Sequence, residues 1–111
     1  MTTKEHTQRI RELNDAFRAT FNQGQVFLSA EVGGLPLPQQ MALLNRVRTF
    51  ADFSEDNDPY GEHDFGAFEH AGDRYFWKID YYDRQMEHGS EDPADPAQTT
   101  RVLTIMRADE Y

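Results

Sequence analysis

Apolar positions along the chain follow two different periods, and the changes of period mark the elements. Ile10, Leu13, Phe17 and Phe21 recur at helical spacing, which predicts a helix from about Thr3 to Asn22. Thr2 or Thr3 is placed to cap it, Glu5 or Glu12 suits its N-terminal end, and Arg9, Arg11, Glu12 and Arg18 take the remaining face. Asn22-Gln23-Gly24 is a stop signal. Gln25 to Ala30, centred on Val26, Phe27 and Leu28, reads as a short strand, after which Gly33-Gly34 breaks the pattern. Pro38 suits the first turn of a second helix running to about Phe50. Its buried face is read as Met41, Leu44, Val47 and Ala51, flanked by Leu43 and Phe50, with Arg46 and Arg48 toward solvent.

The second half has period two. Glu62 to His70 reads as a strand of imperfect alternation, because Phe65 and Phe68 have opposite parity. A bulge at Gly66 would bring both rings to one face. Ala71-Gly72-Asp73 reads as a hairpin turn. Arg74 to Asp83 alternates most clearly: Tyr75, Trp77, Ile79 and Tyr81 form an apolar face, and Phe76, Lys78, Asp80 and Tyr82 a mixed one. Gly89 to Pro96 is too rich in proline and acid for helix or sheet. Arg101 to Ala108 carries Val102, Leu103, Ile105 and Met106, dense enough for an interior strand. The order α-β-α-β-β-β predicts an α+β fold: an antiparallel sheet of about four strands with two helices on one face, in a single domain over 1–111.

Charge changes the picture. The chain has 111 residues and a net charge of −9. Residues 1–51 carry +2, residues 52–95 carry −11, and the remainder balances. Ten of the 14 aromatic residues also lie between Phe50 and Tyr82. A segment both acidic and aromatic must fold, with its carboxylates outward or partnered. Such a surface repels nucleic acid and attracts basic patches of other proteins. No apolar run approaches the roughly 20 residues of a membrane span, and Met1 to Asn22 is too polar for a secretory leader. The absence of cysteine excludes disulfides, thiolate metal sites and a cysteine nucleophile. The balance fits a cytoplasmic protein.

Four blocks stand out: Asp56-Asn57-Asp58-Pro59-Tyr60-Gly61-Glu62-His63-Asp64-Phe65-Gly66, Phe76-Trp77-Lys78-Ile79-Asp80-Tyr81-Tyr82-Asp83, Gly89-Ser90-Glu91-Asp92-Pro93 and Arg101-Val102-Leu103-Thr104-Ile105-Met106. Together they resemble a family of small bacterial proteins of unknown function, often carried on plasmids and other mobile elements. The resemblance implies a bacterial cytoplasm, and a setting where inhibitors of host defence are common. It implies no activity or ligand.

Candidate chemistry gathers at residues 56–70. Asp56 and Asp58 with Gly61 resemble the start of a calcium loop, but Tyr60 and Ala67 stand where further ligands belong. His63 and His70 are too far apart along a strand to share a metal, and no zinc spacing is present. No phosphate-cradling glycine loop and no nucleophile elbow occurs, so neither a metal nor a cofactor is expected. The leading expectation is an acidic interaction module without enzymatic activity. Asp56, Asp58, Glu62, Asp64, Glu91, Asp92 and Asp95 would meet a basic protein surface, in the sharpest form as a nucleic-acid mimic that inhibits a host nuclease or defence complex, of anti-CRISPR or anti-restriction type. The alternative is a small-molecule-binding or hydrolytic domain in which Tyr60, His63 and Asp64 form the site. Phe76 and Tyr82 mark a candidate face for a partner or a homodimer.

Overall fold

A computed structural model of the protein describes residues 3–111. Helix α1 spans Thr3–Thr20, strand β1 Gly24–Leu28, the short helix α2 Ala30–Gly33, helix α3 Leu37–Arg48, and strands β2, β3 and β4 Phe65–His70, Asp73–Tyr82 and Thr100–Arg107. A 3-10 turn, Ala108–Glu110, follows. The fold is α+β, as the period pattern predicts. The Thr2 capping expectation lies outside the described residues.

The sheet is mixed rather than antiparallel throughout. Its order is β1-β4-β3-β2. Strands β2, β3 and β4 run antiparallel, whereas β1 pairs with β4 in parallel, Val26 beside Leu103 and Leu28 beside Ile105. The chain leaves β1 through both helices, builds the β2–β3 hairpin, and returns through the long 83–99 segment. Strand β4 therefore enters between β1 and β3. Being central, it is covered on both faces, which accounts for its run of apolar residues: Val102, Leu103, Ile105 and Met106 are all buried.

The core lies on one face of the sheet. Phe68, Tyr75, Trp77, Ile79, Leu103 and Ile105 meet Phe17 of α1, Val32 of α2 and Leu43 and Val47 of α3. In α3 the buried side is set by Leu43 and Val47, and Met41 is 59% exposed. Gln40 fixes that rotation by donating its side-chain amide to the Gly33 and Leu35 carbonyls, both at 2.9 Å. The helix ends at Arg48, so Ala51 falls beyond it and is exposed.

No bulge forms at Gly66. The β2–β3 register is unbroken, Gly66 opposite Trp77 and Phe68 opposite Tyr75. The odd parity of the two phenylalanines is real: Phe68 enters the core, and Phe65 packs on the other face against Phe76, ring centroids 5.2 Å apart. Glycine is required at position 66 because the Trp77 indole fills the space above it. A Cβ there would run into Trp77 Nε1 and would lie 2.8 Å from Phe50 Cε1. The hairpin closes through Ala71 and Gly72, with φ of 52° and 86°. A two-residue loop with both residues left-handed matches the twist of the paired strands.

Candidate functional site

Helix α1 is amphipathic in an unusual way: its inner side carries polar groups beside the apolar stripe. Arg11, Asn14, Asp15 and Arg18 fall three or four apart, so they share a side of the helix. Each holds a piece of the two acidic segments or of α3. Arg11 Nη1 donates to the Gly61 carbonyl at 3.2 Å. Asn14 Nδ2 donates to the Glu62 carbonyl at 3.0 Å. Asp15 faces His63, and about two and a half turns earlier His6 Nε2 pairs with Asp92 Oδ1 at 2.7 Å. Arg18 is buried instead of lying on the solvent face. It donates to the carbonyls of Val47 and Phe50, at 2.8 and 2.7 Å, at the C-terminal end of α3. Burial lowers its pKa, against the pull of Asp15.

His63 sits in a cage. Its φ of 55° is left-handed, and its backbone N–H donates to Asp58 Oδ1 at 3.1 Å. Nδ1 lies 2.9 Å from Asp15 Oδ1, and Nε2 lies 3.6 Å from Asp58 Oδ2. The imidazole stacks on Phe53 at 3.7 Å, nearly parallel, and Arg18 lies 5.3 Å from the Phe53 centroid. Asp58 is only 6% exposed at its side chain. Both ring nitrogens thus face carboxylates, and the ring is fixed in orientation, an arrangement that pins the loop before β2.

A second, deeper node lies beside it. The Asn14 side chain is fully buried. It donates to the Tyr81 hydroxyl at 2.8 Å and accepts from Arg101 Nε at 2.6 Å. Tyr81 donates in turn to Glu62 Oε1 at 2.8 Å. Arg101 Nη2 donates to the Pro93 carbonyl at 2.6 Å. Burial pushes the Tyr81 pKa well above that of an ordinary phenol. Asn14 and Arg101 therefore tie the 56–64 segment, through Glu62, to the 90–96 segment, through Pro93. The two acidic segments are neighbours along α1.

The predicted site residues divide between inside and outside. Asp58, Glu62 and Asp64 are turned partly inward. The Asp64 carboxyl has a raised pKa, first from burial and then from Glu62, Asp58 and Asp80 nearby. Asp92 and Asp95 shape their own turn: Asp92 Oδ1 accepts from Ala94 N at 3.1 Å, and Asp95 Oδ1 from Ala97 N at 2.9 Å. Asp56 and Glu91 are exposed, as are Asp52, Glu55 and Glu87. Tyr60 is 80% exposed. Phe76 and Tyr82 lie on the sheet face opposite the core. Phe76 packs with Phe65 and, edge-on at 5.4 Å, with Tyr111. Among the described residues, no group of three or more His, Asp or Glu side chains is placed to hold a metal ion.

Sequence reasoning missed Asn14, Asp15, Arg18, Tyr81 and Arg101 as site residues. The available signal was the spacing of Arg11, Asn14, Asp15 and Arg18 on the side of α1 next to its apolar stripe.

A family model covers residues 6–110, nearly the whole described chain. The protein belongs to the family described as protein of unknown function, DUF3768. No curated protein and no solved structure matches the chain. Membership in DUF3768 agrees with the resemblance only in that the family is one of unknown function, and it adds no activity. No helix of the described residues is long and apolar enough to cross a membrane.

Proposed function

We propose that this DUF3768 protein works by docking a basic surface of another protein through its two acidic segments. One observation carries the reading: α1 holds both segments side by side, through His6–Asp92, Arg11–Gly61, Asn14–Glu62 and Asp15–His63, while Asp52, Glu55, Asp56 and Glu91 remain exposed. Rigid placement lowers the ordering cost of binding, and exposed like charges give long-range attraction to a cationic partner. The reading favours docking over mimicry of a nucleic acid. A mimic needs an outward array of carboxylates, and Asp58, Glu62 and Asp64 serve inside the fold. It also favours docking over hydrolysis at His63, whose two nitrogens already face Asp15 and Asp58.

The test is capture from host lysate at low salt with the wild-type chain and with Asp52→Asn/Glu55→Gln/Asp56→Asn/Glu91→Gln, a variant that leaves every internal bond of α1 intact. A partner retained by the wild type and lost by the variant supports the reading. A partner held equally by both, or none held at all, overturns it.

A further inference from the structure

On the far side of the Asn14–Arg101 node lies a cleft of about 370 Å³, between the C-terminal half of α1 and the start of β4. Its chemistry departs from the rest of the molecule. The chain has 20 acidic residues, yet none lines this cleft, whereas Arg84 and Arg101 both do. Leu13, Phe17 and Pro96 supply an apolar floor, and Thr99 a hydroxyl.

Arg101 is the unusual member. It is only 5% exposed, and its protein acceptors are neutral: the Asn14 amide oxygen and the Pro93 carbonyl, with the Tyr81 ring 5.2 Å away. Among the described residues no carboxylate forms an ion pair with it; Glu62, engaged by the Tyr81 hydroxyl, acts on it only from farther off. A buried cation without a direct counter-ion is costly, and an anion reaching it recovers part of that cost. Among the described residues its Nη1 has no hydrogen-bond partner, and it is not sealed from solvent. Arg84 stands exposed on the same cleft; among the described residues it has one long contact, 3.4 Å to the Thr99 carbonyl, and no carboxylate partner.

We propose that this cleft binds a small organic anion, with a carboxylate or phosphate head between Arg84 and Arg101 and an apolar body on Leu13, Phe17 and Pro96. Its volume suits a ligand of one ring and its substituent, the lower range of small-molecule sites. The proposal is independent of the docking surface, because it uses neither Asp56 nor Glu91.

Nitrogen-15 NMR of the full chain tests it, with phenyl phosphate, benzoate and neutral benzyl alcohol as probes at constant ionic strength. The expected result is saturable shifts at Arg101 Nε–H and at Leu13, Phe17 and Thr99 amides with one or both anions below about 20 mM. Binding by phenyl phosphate alone assigns a phosphate site; binding by benzoate as well assigns a general carboxylate or phosphate site. Arg84→Gln, an exposed change that leaves the Asn14–Arg101 node in place, is expected to weaken the binding about fivefold to tenfold. The proposal is overturned if benzyl alcohol produces the same shifts, if neither anion moves these resonances, or if Arg84→Gln binds as tightly as the wild type.

Discussion

Replacing Asn14 by Ala removes the side chain that joins α1 to the 56–64 segment directly and to the 90–96 segment through Arg101. Three hydrogen bonds go with it, at 3.0, 2.8 and 2.6 Å to the Glu62 carbonyl, the Tyr81 hydroxyl and Arg101 Nε. The loss at Arg101 dominates, because a buried charged donor is left without an acceptor, at about 1.5–3 kcal/mol. The two neutral bonds add about 0.5–1.5 kcal/mol each. Alanine returns a few tenths of a kcal/mol through its better helix propensity. The net expectation is a loss of about 3 kcal/mol or more, a large share of the roughly 5–15 kcal/mol that a domain has. Urea unfolding followed by the fluorescence of Trp77, the single tryptophan, reads it directly. The midpoint should fall by about 1–3 M with the slope unchanged. Tyr81→Phe combined with Asn14→Ala should cost less than the two changes measured singly, since both act on one network. A loss below about 1 kcal/mol for Asn14→Ala, or strict additivity with Tyr81→Phe, would refute the node as the element that holds the acidic segments together.

Three further outcomes follow from the same structure. Gly66→Ala forces a methyl into the Trp77 indole and the Phe50 ring, so it should destabilise by about 2 kcal/mol or more and shift the tryptophan emission; a neutral effect in urea unfolding would contradict the close approach. Ala71→Asn should raise the unfolding midpoint by the equivalent of about 0.5–1 kcal/mol, because asparagine tolerates the left-handed φ of 52° better than alanine. Asp64→Asn should stabilise the protein at pH 7 and make no difference at pH 3, as checked by urea unfolding at both. Burial and the neighbouring carboxylates Glu62, Asp58 and Asp80 raise the Asp64 pKa above its unfolded value, so the folded state holds a proton more tightly than the unfolded one. Stability is therefore lost as pH rises from the unfolded pKa through the folded one, and the neutral amide avoids that loss.

The sequence pattern exposed the elements whose packing is one-sided. Tyr75, Trp77 and Ile79 alternate because β3 has one buried and one open face, and the interior place of β4 is visible in its continuous apolar run. The direction of β1 left no such trace. A strand of Gly24–Leu28 presents the same alternation whether its neighbour runs parallel or antiparallel, so the mixed sheet is decided by the long return to β4. Phe65 and Phe68 were ambiguous for a similar reason: opposite parity fits a bulge or a strand covered on both sides, and only the Trp77 ring over Gly66 selects the second.

The site was legible in part. The acidity of residues 52–95 could be read from composition, but the tie of His63 to Asp15, 48 residues away on α1, could not. Which carboxylates face inward could not, since Asp56 and Asp58 differ by their relation to His63 and not by type. Arg18 read as a solvent residue for the same reason: the acceptors that draw it inward are backbone carbonyls at the end of α3, which no side-chain pattern announces.

The most direct measurement is the ionic-strength dependence of binding between the wild-type chain and a captured partner, by isothermal titration. Docking through exposed carboxylates predicts that Kd weakens by about tenfold or more between roughly 50 and 200 mM NaCl, and that neutralising Asp52, Glu55, Asp56 and Glu91 flattens this dependence along with the affinity. An affinity indifferent to salt, and unchanged by those four substitutions, would contradict the account.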